Sequence, residues 1–189
     1  MTADQNQDGF TRPRYFTGQM LTANDFQQEQ EYHNGKRRLL NRCLFGARVA
    51  CGLGILFEKG TLIVNPGLAL DCAGNEIYLP GPFSGPLPDK DGLYFLQLLY
   101  TETESAPVPD LYSETEASGT AFSRIVEGFE LVWSAEDSMA DHPWANGAWK
   151  TCGETHPLTI ARVVVRSGGV ELDEKFAARI NAGRTGWSG

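Results

Sequence analysis

Long apolar runs are missing from this 189-residue sequence, and its first ten residues have no apolar stretch behind a basic region. No run approaches the ~18 apolar residues that a membrane span needs, so we expect neither a span nor a secretory signal. Basic residues are also scarce, because 16 Lys and Arg stand against 24 Asp and Glu. A net charge of −8 argues against a nucleic-acid binder, which would need a basic face.

Paired metal ligands are missing as well. The chain has four cysteines, Cys43, Cys51, Cys72 and Cys152. None of them forms a Cys-x-x-Cys pair, and a zinc site built from His142, Cys152 and His156 would have suitable ligand types at an unsuitable spacing. The sequence therefore predicts no metal and no cofactor. Without a secretory signal, we expect the cysteines to be reduced thiols in the core.

A complete set of catalytic residues is not evident either. A nucleophile at Cys51 would need a base such as His33 beside it, and nothing in the sequence brings the two together. Two acids such as Asp71 and Glu76 would have to lie about 5–10 Å apart in a large pocket to hydrolyse a glycoside. The sequence favours a protein that is not an enzyme, with a small hydrolase as one alternative.

One long helix is predicted at residues 23–45. Thr22 followed by Asp25 resembles a capping box, acids fill the first half and bases the second, and Gly46 gives a stop. The stripe that repeats at helical spacing is half polar, which favours either a surface helix or a helix that binds a partner. A surface helix would pack through Leu39, Leu40, Cys43 and Leu44.

After Gly46 the pattern changes to the two-residue period of β-strands. Strands are expected at residues 49–57, 61–64, 68–72, 76–79, 93–101, 125–133, 158–166 and 170–172, the first four as an antiparallel meander. Loops are expected at 80–92, at 102–123, which is acidic and long, and at 134–157. A short C-terminal helix is expected at 173–181, with Asp173 as its cap.

These elements predict a mainly β fold. We expect an antiparallel β-sandwich or partly open barrel with an N-terminal α-helix and a short C-terminal helix. The chain divides into a flexible arm at 1–13, a lead-in and helix at 14–46, a β-rich domain at 47–182 and a tail at 183–189.

The first block of the sequence is long and unusual. Residues 12–23 read RPRYFTGQMLTA, and DF, EQ, YH, KRRL, NR and VACGL follow at 25, 29, 32, 36, 41 and 49. Further matching stretches are PGLALD at 66–71, GNEI at 74–77 and EGFEL at 127–131. This pattern resembles a family of bacterial proteins encoded in gene clusters for extracellular contractile injection systems, which are relatives of phage tails.

The resemblance implies a structural or adaptor component without enzymatic activity, acting through protein–protein contacts near the baseplate, spike or tail. Its expected partners are other particle proteins and further copies of itself. We expect assembly in the cytoplasm and a place in the released particle. The family provides no catalytic residues to transfer.

Eight side chains are predicted to bind a partner, because they belong to the aromatic lead-in, the polar helix stripe or the Trp-containing loop. They are Arg14, Tyr15, Phe16, Gln30, His33, Arg37, Trp144 and Trp149. The alternative is a carbohydrate- or surface-binding β-sandwich that uses the two tryptophans and the acidic loop, with or without calcium.

Overall fold

The computed structural model describes residues 9–110, 119–140 and 156–176. The protein is mainly β, with antiparallel sheets, one of them a half-barrel, and a long N-terminal helix. This architecture confirms the predicted fold class. No helix within the described residues combines the length and apolar character that crossing a membrane requires.

The N-terminal helix α1 covers Ala23–Leu40 and continues as a π-helical turn over Asn41–Phe45. Asp25 Oδ2 accepts hydrogen bonds from the backbone N and the Oγ1 of Thr22, each at 2.8 Å. These bonds lower the pKa of Asp25, the backbone bond most. The helix ends at Gly46, whose φ is 66°. Both predicted helix ends are confirmed, whereas the wider last turn was not predicted.

The described residues form ten strands after the helix. They are β1 Arg48–Gly52, β2 Ile55–Glu58, β3 Thr61–Val64, β4 Gly67–Leu70, β5 Glu76–Leu79, β6 Phe83–Pro86, β7 Gly92–Asp110, β8 Gly119–Ser134, β9 Leu158–Arg166 and β10 Gly169–Leu172. Three sheets result, with the strand orders β1-β4-β5, β2-β3-β6 and β10-β9-β7-β8. The predicted bounds of β3, β5 and β9 are confirmed.

The three sheets share one apolar core. Leu62 of β3, Ile77 of β5, and Leu96 and Val163 of the largest sheet are each at most 1% exposed and belong to one continuous cluster. Full burial of such a side chain contributes about 1.5–3 kcal/mol. The sheets are therefore held together by their inner faces.

A sharp change of direction at Gly52 and Leu53 separates β1 from β2. Both residues have positive φ, 66° and 55°, and a Cβ on Gly52 would collide with the carbonyl oxygen of Pro66. As a result β1 pairs with β4, while β2 pairs with β3 in a different sheet. The predictions of one strand at 49–57 and of a simple meander were wrong.

The prediction of an acidic loop at 102–123 was also wrong, because β7 and β8 extend into this part of the chain. The two strands pair from Phe95, opposite Ser134, to Asp110, opposite Gly119. Pro107 and Pro109 are tolerated because β9 accompanies β7 only as far as Leu98, which leaves the outer part of β7 at an edge. The predicted loop at 80–92 contains β6, which pairs with β3. Of the predicted loop at 134–157, residues 141–155 lie outside the described residues.

The cysteines are less buried than predicted. Cys72 is buried, but Cys43 and Cys51 are exposed, and Cys152 lies outside the described residues. A bulge in β1 explains Cys51: Val49 pairs with Ala69 and Cys51 with the next residue, Leu68. The extra residue reverses the alternation, so the thiol lies on the face away from buried Val49.

The predicted cap of the C-terminal helix is confirmed. Asp173 Oδ1 accepts hydrogen bonds from the backbone N of Lys175 at 3.1 Å and of Phe176 at 3.3 Å. Residues 174–176 are helical. The rest of the predicted helix, from residue 177, lies outside the described residues.

A buried carboxylate organises the turn between β4 and β5. Asp71 is 1% exposed and accepts hydrogen bonds from the backbone N and the Nδ2 of Asn75, at 2.8 and 2.7 Å. Burial raises the pKa of Asp71, and the bonds from Asn75 oppose that rise without cancelling it. This turn includes Gly74, which faces the helix.

The raised pKa of Asp71 makes stability depend on pH. The folded protein binds this proton more tightly than the unfolded chain, so the stabilising contribution is fully present below the ordinary Asp value of about 4. We expect it to be lost as pH rises through the raised pKa. The measurement is the urea-unfolding free energy of the wild type minus that of Asp71→Asn, at several pH values from about 3 upward.

That difference should fall as pH rises. Asp89→Asn, at an exposed loop position, is the matched control for losing one carboxylate. A fall of equal size in the control series would contradict the assignment to Asp71.

Candidate interaction surface

Residues 10–21, here called the basic-aromatic segment, fold back along α1. The Tyr15 hydroxyl donates a 2.7 Å hydrogen bond to Glu29 Oε2, and this bond raises the pKa of Tyr15. The Phe10 ring meets the Tyr32 ring edge-on, with 6.2 Å between centroids. Phe10 also covers Gly35, where a Cβ would lie 2.9 Å from its Cε1. The helix glycine thus gives the ring room, and the segment has a defined position.

The basic-aromatic segment exposes large apolar side chains. Phe16 is 69% and Met20 is 85% exposed. Other exposed apolar side chains of the segment and the first turn of α1 are Phe10, Tyr15, Leu21 and Phe26. Clustered exposed apolar side chains mark protein contact sites more often than chance, whereas single ones are normal.

The other end of α1 is attached to the sheets by polar contacts, here called the helix junction. Asn41 is 8% exposed, and its Nδ2 donates to the carbonyl oxygen of Gly74 at 2.9 Å and to Glu76 Oε1 at 3.2 Å. Arg42 Nη1 donates to the carbonyl oxygen of Ala73 at 3.3 Å. A buried amide with two acceptors fixes both the position and the rotation of the helix end.

Two ion pairs complete the helix junction. Arg37 Nε lies 3.1 Å from Glu76 Oε1, and Arg38 Nη2 lies 3.4 Å from Glu102 Oε1. The Tyr100 hydroxyl donates to the same Glu102 oxygen at 2.8 Å. Burial, helped by this bond, raises the pKa of Tyr100. Because both arginines remain substantially exposed, we attribute the attachment mainly to Asn41.

The predicted apolar packing of the helix through Leu39, Leu40, Cys43 and Leu44 was wrong. Leu40 is 55% and Leu44 is 66% exposed, Cys43 is exposed, and α1 has no buried residue. The side of the helix that faces the sheets carries Asn41 and arginines instead. Gly74 permits this arrangement, because a Cβ there would collide with the carbonyl oxygen of Arg38.

Replacing Gly74 by Ala tests the helix junction against a matched control. Gly74 and Gly60 both have positive φ, 86° and 79°, so alanine costs each about 1–2 kcal/mol of backbone strain. At Gly60 a Cβ meets nothing within 4 Å. We expect Gly74→Ala to lower the free energy of unfolding by at least about 1 kcal/mol more than Gly60→Ala in urea denaturation.

Proteolysis adds a local readout to that comparison. The Gly74→Ala variant should be cut faster than Gly60→Ala within α1, because the helix end is released. Equal losses of stability and equal cleavage would show that this turn does not hold the helix.

A second exposed element is the outer part of the β7–β8 hairpin, residues 102–110 and 119–127, here called the acidic ribbon. β9 does not reach this part of β7, so the ribbon has two strands. Its exposed apolar side chains are Val108, Phe122, Ile125 and Val126. An isolated two-stranded hairpin is marginally stable in water, so such a ribbon gains stability from any surface that covers it.

Of the residues considered for hydrolysis, only Glu76 lines the cleft that the described residues form between α1 and the sheets. This shallow cleft is lined by helix-junction residues with Asn34, Tyr100 and Glu127. Glu76 lines it, but Asp71, His33 and Cys51 do not. The described residues contain no group of three or more side chains that would hold a metal ion. Asp71 and Glu76 act here as hydrogen-bond acceptors within the fold.

The predicted partner-binding residues fall into three groups. Arg14, Phe16, Gln30 and His33 are exposed, with the His33 ring 5.2 Å from that of Tyr32. Tyr15 and Arg37 are also exposed, but they bind Glu29 and Glu76 of the same chain. Trp144 and Trp149 lie outside the described residues. For all eight residues, contact with a partner remains a prediction.

Sequence reasoning missed Asn41, Gly74 and Glu102, which connect the helix to the sheets. Two features of the sequence could have indicated this attachment: the amide of Asn41 at the end of a polar helix, and the Gly74-Asn75 turn.

Comparison with known proteins adds a fold likeness. No family model matches the sequence. No curated protein matches it either. The fold is similar to a chain of the baseplate complex from the type VI secretion system, with a TM-score of 0.50 and 14% identity, over 87% of this chain and 58% of that one.

Two further solved structures give similar values. For the crystal structure of TssK, the TM-score is 0.49 at 15% identity, over 87% of this chain and 41% of that chain. For the TssK-TssF-TssG baseplate subcomplex from the type VI secretion system, the TM-score is 0.49 at 15% identity. The match covers 87% of this chain and 60% of the matched chain. The chain thus spans 41–60% of the length of these matched chains, and the likeness concerns the fold.

The exposed apolar side chains of the basic-aromatic segment should contribute little to the stability of the single chain. We expect Phe16→Ser and Met20→Gln each to change the free energy of unfolding by less than about 0.5 kcal/mol. Leu62→Ala, at a site that is 1% exposed, should cost about 2–5 kcal/mol in the same urea titration. A loss above about 1 kcal/mol at residue 16 or 20 would mean that the segment covers the core.

Proposed function

We propose that this protein is a structural component, without enzymatic activity, of a contractile phage-tail-like particle, and that it acts through protein–protein contacts near the baseplate. The observation that carries the proposal is the exposed basic-aromatic segment on a helix held apart from the apolar core. Phe16 and Met20 remain 69% and 85% exposed although the segment is fixed by Tyr15 and Phe10. Such fixed, exposed apolar groups bind a partner with little loss of conformational entropy.

Two independent likenesses support the particle as the setting. The RPRYFTGQMLTA block and the stretches that follow it resemble proteins from contractile injection gene clusters. The fold is similar to a chain of a type VI secretion baseplate complex at a TM-score of 0.50. The two likenesses rest on different properties, sequence and backbone geometry, and both lead to the same class of assembly.

The construction of the helix junction also fits a role by contact. Polar atoms hold α1, so the apolar side chains Leu40 and Leu44 remain free at 55% and 66% exposure. A helix that served its own fold alone would bury them. The helix therefore offers apolar surface near both of its ends to neighbouring subunits.

The test is the composition of purified particles. The tagged protein is expressed in cells that produce the particle, which is isolated by sedimentation and analysed by quantitative mass spectrometry. We expect the protein to co-sediment with sheath, tube and baseplate subunits. Complete, contraction-competent particles without it would contradict the proposal.

A variant comparison sharpens this test. The double change Phe16→Ser and Met20→Gln should lower incorporation about tenfold, because two apolar anchors are lost at the interface. Tyr78→Ser removes a similarly exposed ring, 64% exposed, from β5 and is the matched control. Equal incorporation of both variants would exclude the basic-aromatic segment as the contact.

A further inference from the structure

The acidic ribbon concentrates negative charge on one face. Cross-strand pairing places Glu102 opposite Glu127 and Glu104 opposite Ile125. Residues two apart in a strand share a face, so three carboxylates and one 65%-exposed isoleucine lie together. Arg124 lies on the opposite face, because it alternates with Ile125. Like charges directly opposite one another destabilise a strand pair, so this face favours added cations.

The chain itself supplies one cation to this face. Arg38 contacts Glu102, whereas within the described residues Glu104 and Glu127 have no ion pair. The remaining charge lies beside exposed apolar surface. A matching partner therefore carries closely spaced cations together with apolar side chains.

The basic-aromatic segment has this chemistry. Residues 10–21 contain Arg12 and Arg14 and no acid, and neither arginine has an ion pair within the described residues. Pro13 keeps the backbone extended, so the two arginines are spaced about 6–7 Å along the chain. Glu102 and Glu104, two apart in a strand, have the same spacing of about 6–7 Å. Phe16 and Met20 add apolar surface.

The two surfaces do not cover each other within one chain. Phe16, Met20 and Ile125 are 69%, 85% and 65% exposed. The segment is fixed on α1 through Tyr15 and Phe10, and the ribbon is fixed on the sheet through its strand pairing. Both are therefore available to a second molecule.

We infer that the basic-aromatic segment of one copy docks on the acidic ribbon of a second copy, with Arg12 and Arg14 against Glu104 and its neighbouring carboxylates. This contact joins two different surfaces of the same chain, so each copy offers one donor and one acceptor surface. The contact forms between copies of the purified chain, so it does not depend on which particle the protein belongs to.

Charge reversal on separate copies tests this contact. Sedimentation velocity over a concentration series should show self-association of the wild type that weakens as salt is raised. Arg14→Glu alone and Glu104→Arg alone should each associate at least about tenfold more weakly, because like charges then face each other. Mixing the two variants should restore association, since each pairing between unlike variants is again complementary.

The controls carry the same charge changes elsewhere. Lys59→Glu and Asp89→Arg, at exposed positions outside both surfaces, should associate like the wild type alone and when mixed. Ile125→Ser provides a second ribbon variant should Glu104→Arg disturb the strands, and it should also weaken association. A monomeric wild type, unaffected single variants, or no recovery on mixing would overturn the inference. Particle incorporation is measured separately, so either conclusion can fail without the other.

Discussion

The hydrogen bond from the Asn41 amide to the carbonyl oxygen of Gly74 is the constraint on which the outer architecture depends. This bond connects the π-helical turn to the turn between β4 and β5. Asp71 stabilises the turn between the strands by accepting hydrogen bonds from Asn75. Since α1 buries no residue of its own, these few polar atoms determine where the helix points. The position of the basic-aromatic segment follows, because the contacts that fix it among the described residues are made to the helix.

In this arrangement, the residues that stabilise the fold differ from the residues that are exposed for contact with a partner. The core between the three sheets contains the apolar side chains that hold the fold together, and it does not involve α1. The exposed aromatic, arginine and acidic side chains lie on the basic-aromatic segment and on the outer parts of β7 and β8, beyond the residues that form the core. Substitutions on the segment or the ribbon can therefore change contacts while the sheets remain intact.

Much of the fold could be predicted from local sequence. The helix ends at Thr22 and Gly46, and the strands β3, β5 and β9 have the expected bounds, because capping and two-residue alternation are local properties. The break at Gly52 and the bulge before Cys51 were not predictable, since both depend on which strand becomes the neighbour. Pairing partners are set by tertiary contacts and not by the alternation itself.

The candidate surface was predictable only in part. The segment RPRYF was recognisable as aromatic and basic, but its place along the helix depends on the fit of Phe10 over Gly35. The acidic ribbon was predicted as part of a long acidic loop, and it forms strands that include Pro107 and Pro109. The residue between them, Val108, still pairs with Ala121, since prolines are tolerated where no further strand follows.

Pro107 and Pro109 also make the two edges of the ribbon unequal. Neither has a backbone N–H, so the outer edge of β7 offers fewer donors to an additional strand than the outer edge of β8. Lateral growth of the sheet by a foreign strand is therefore hindered on one side and open on the other. Edge-to-edge pairing of many ribbons would need both of these edges, so the two prolines disfavour it while the faces of the ribbon stay exposed.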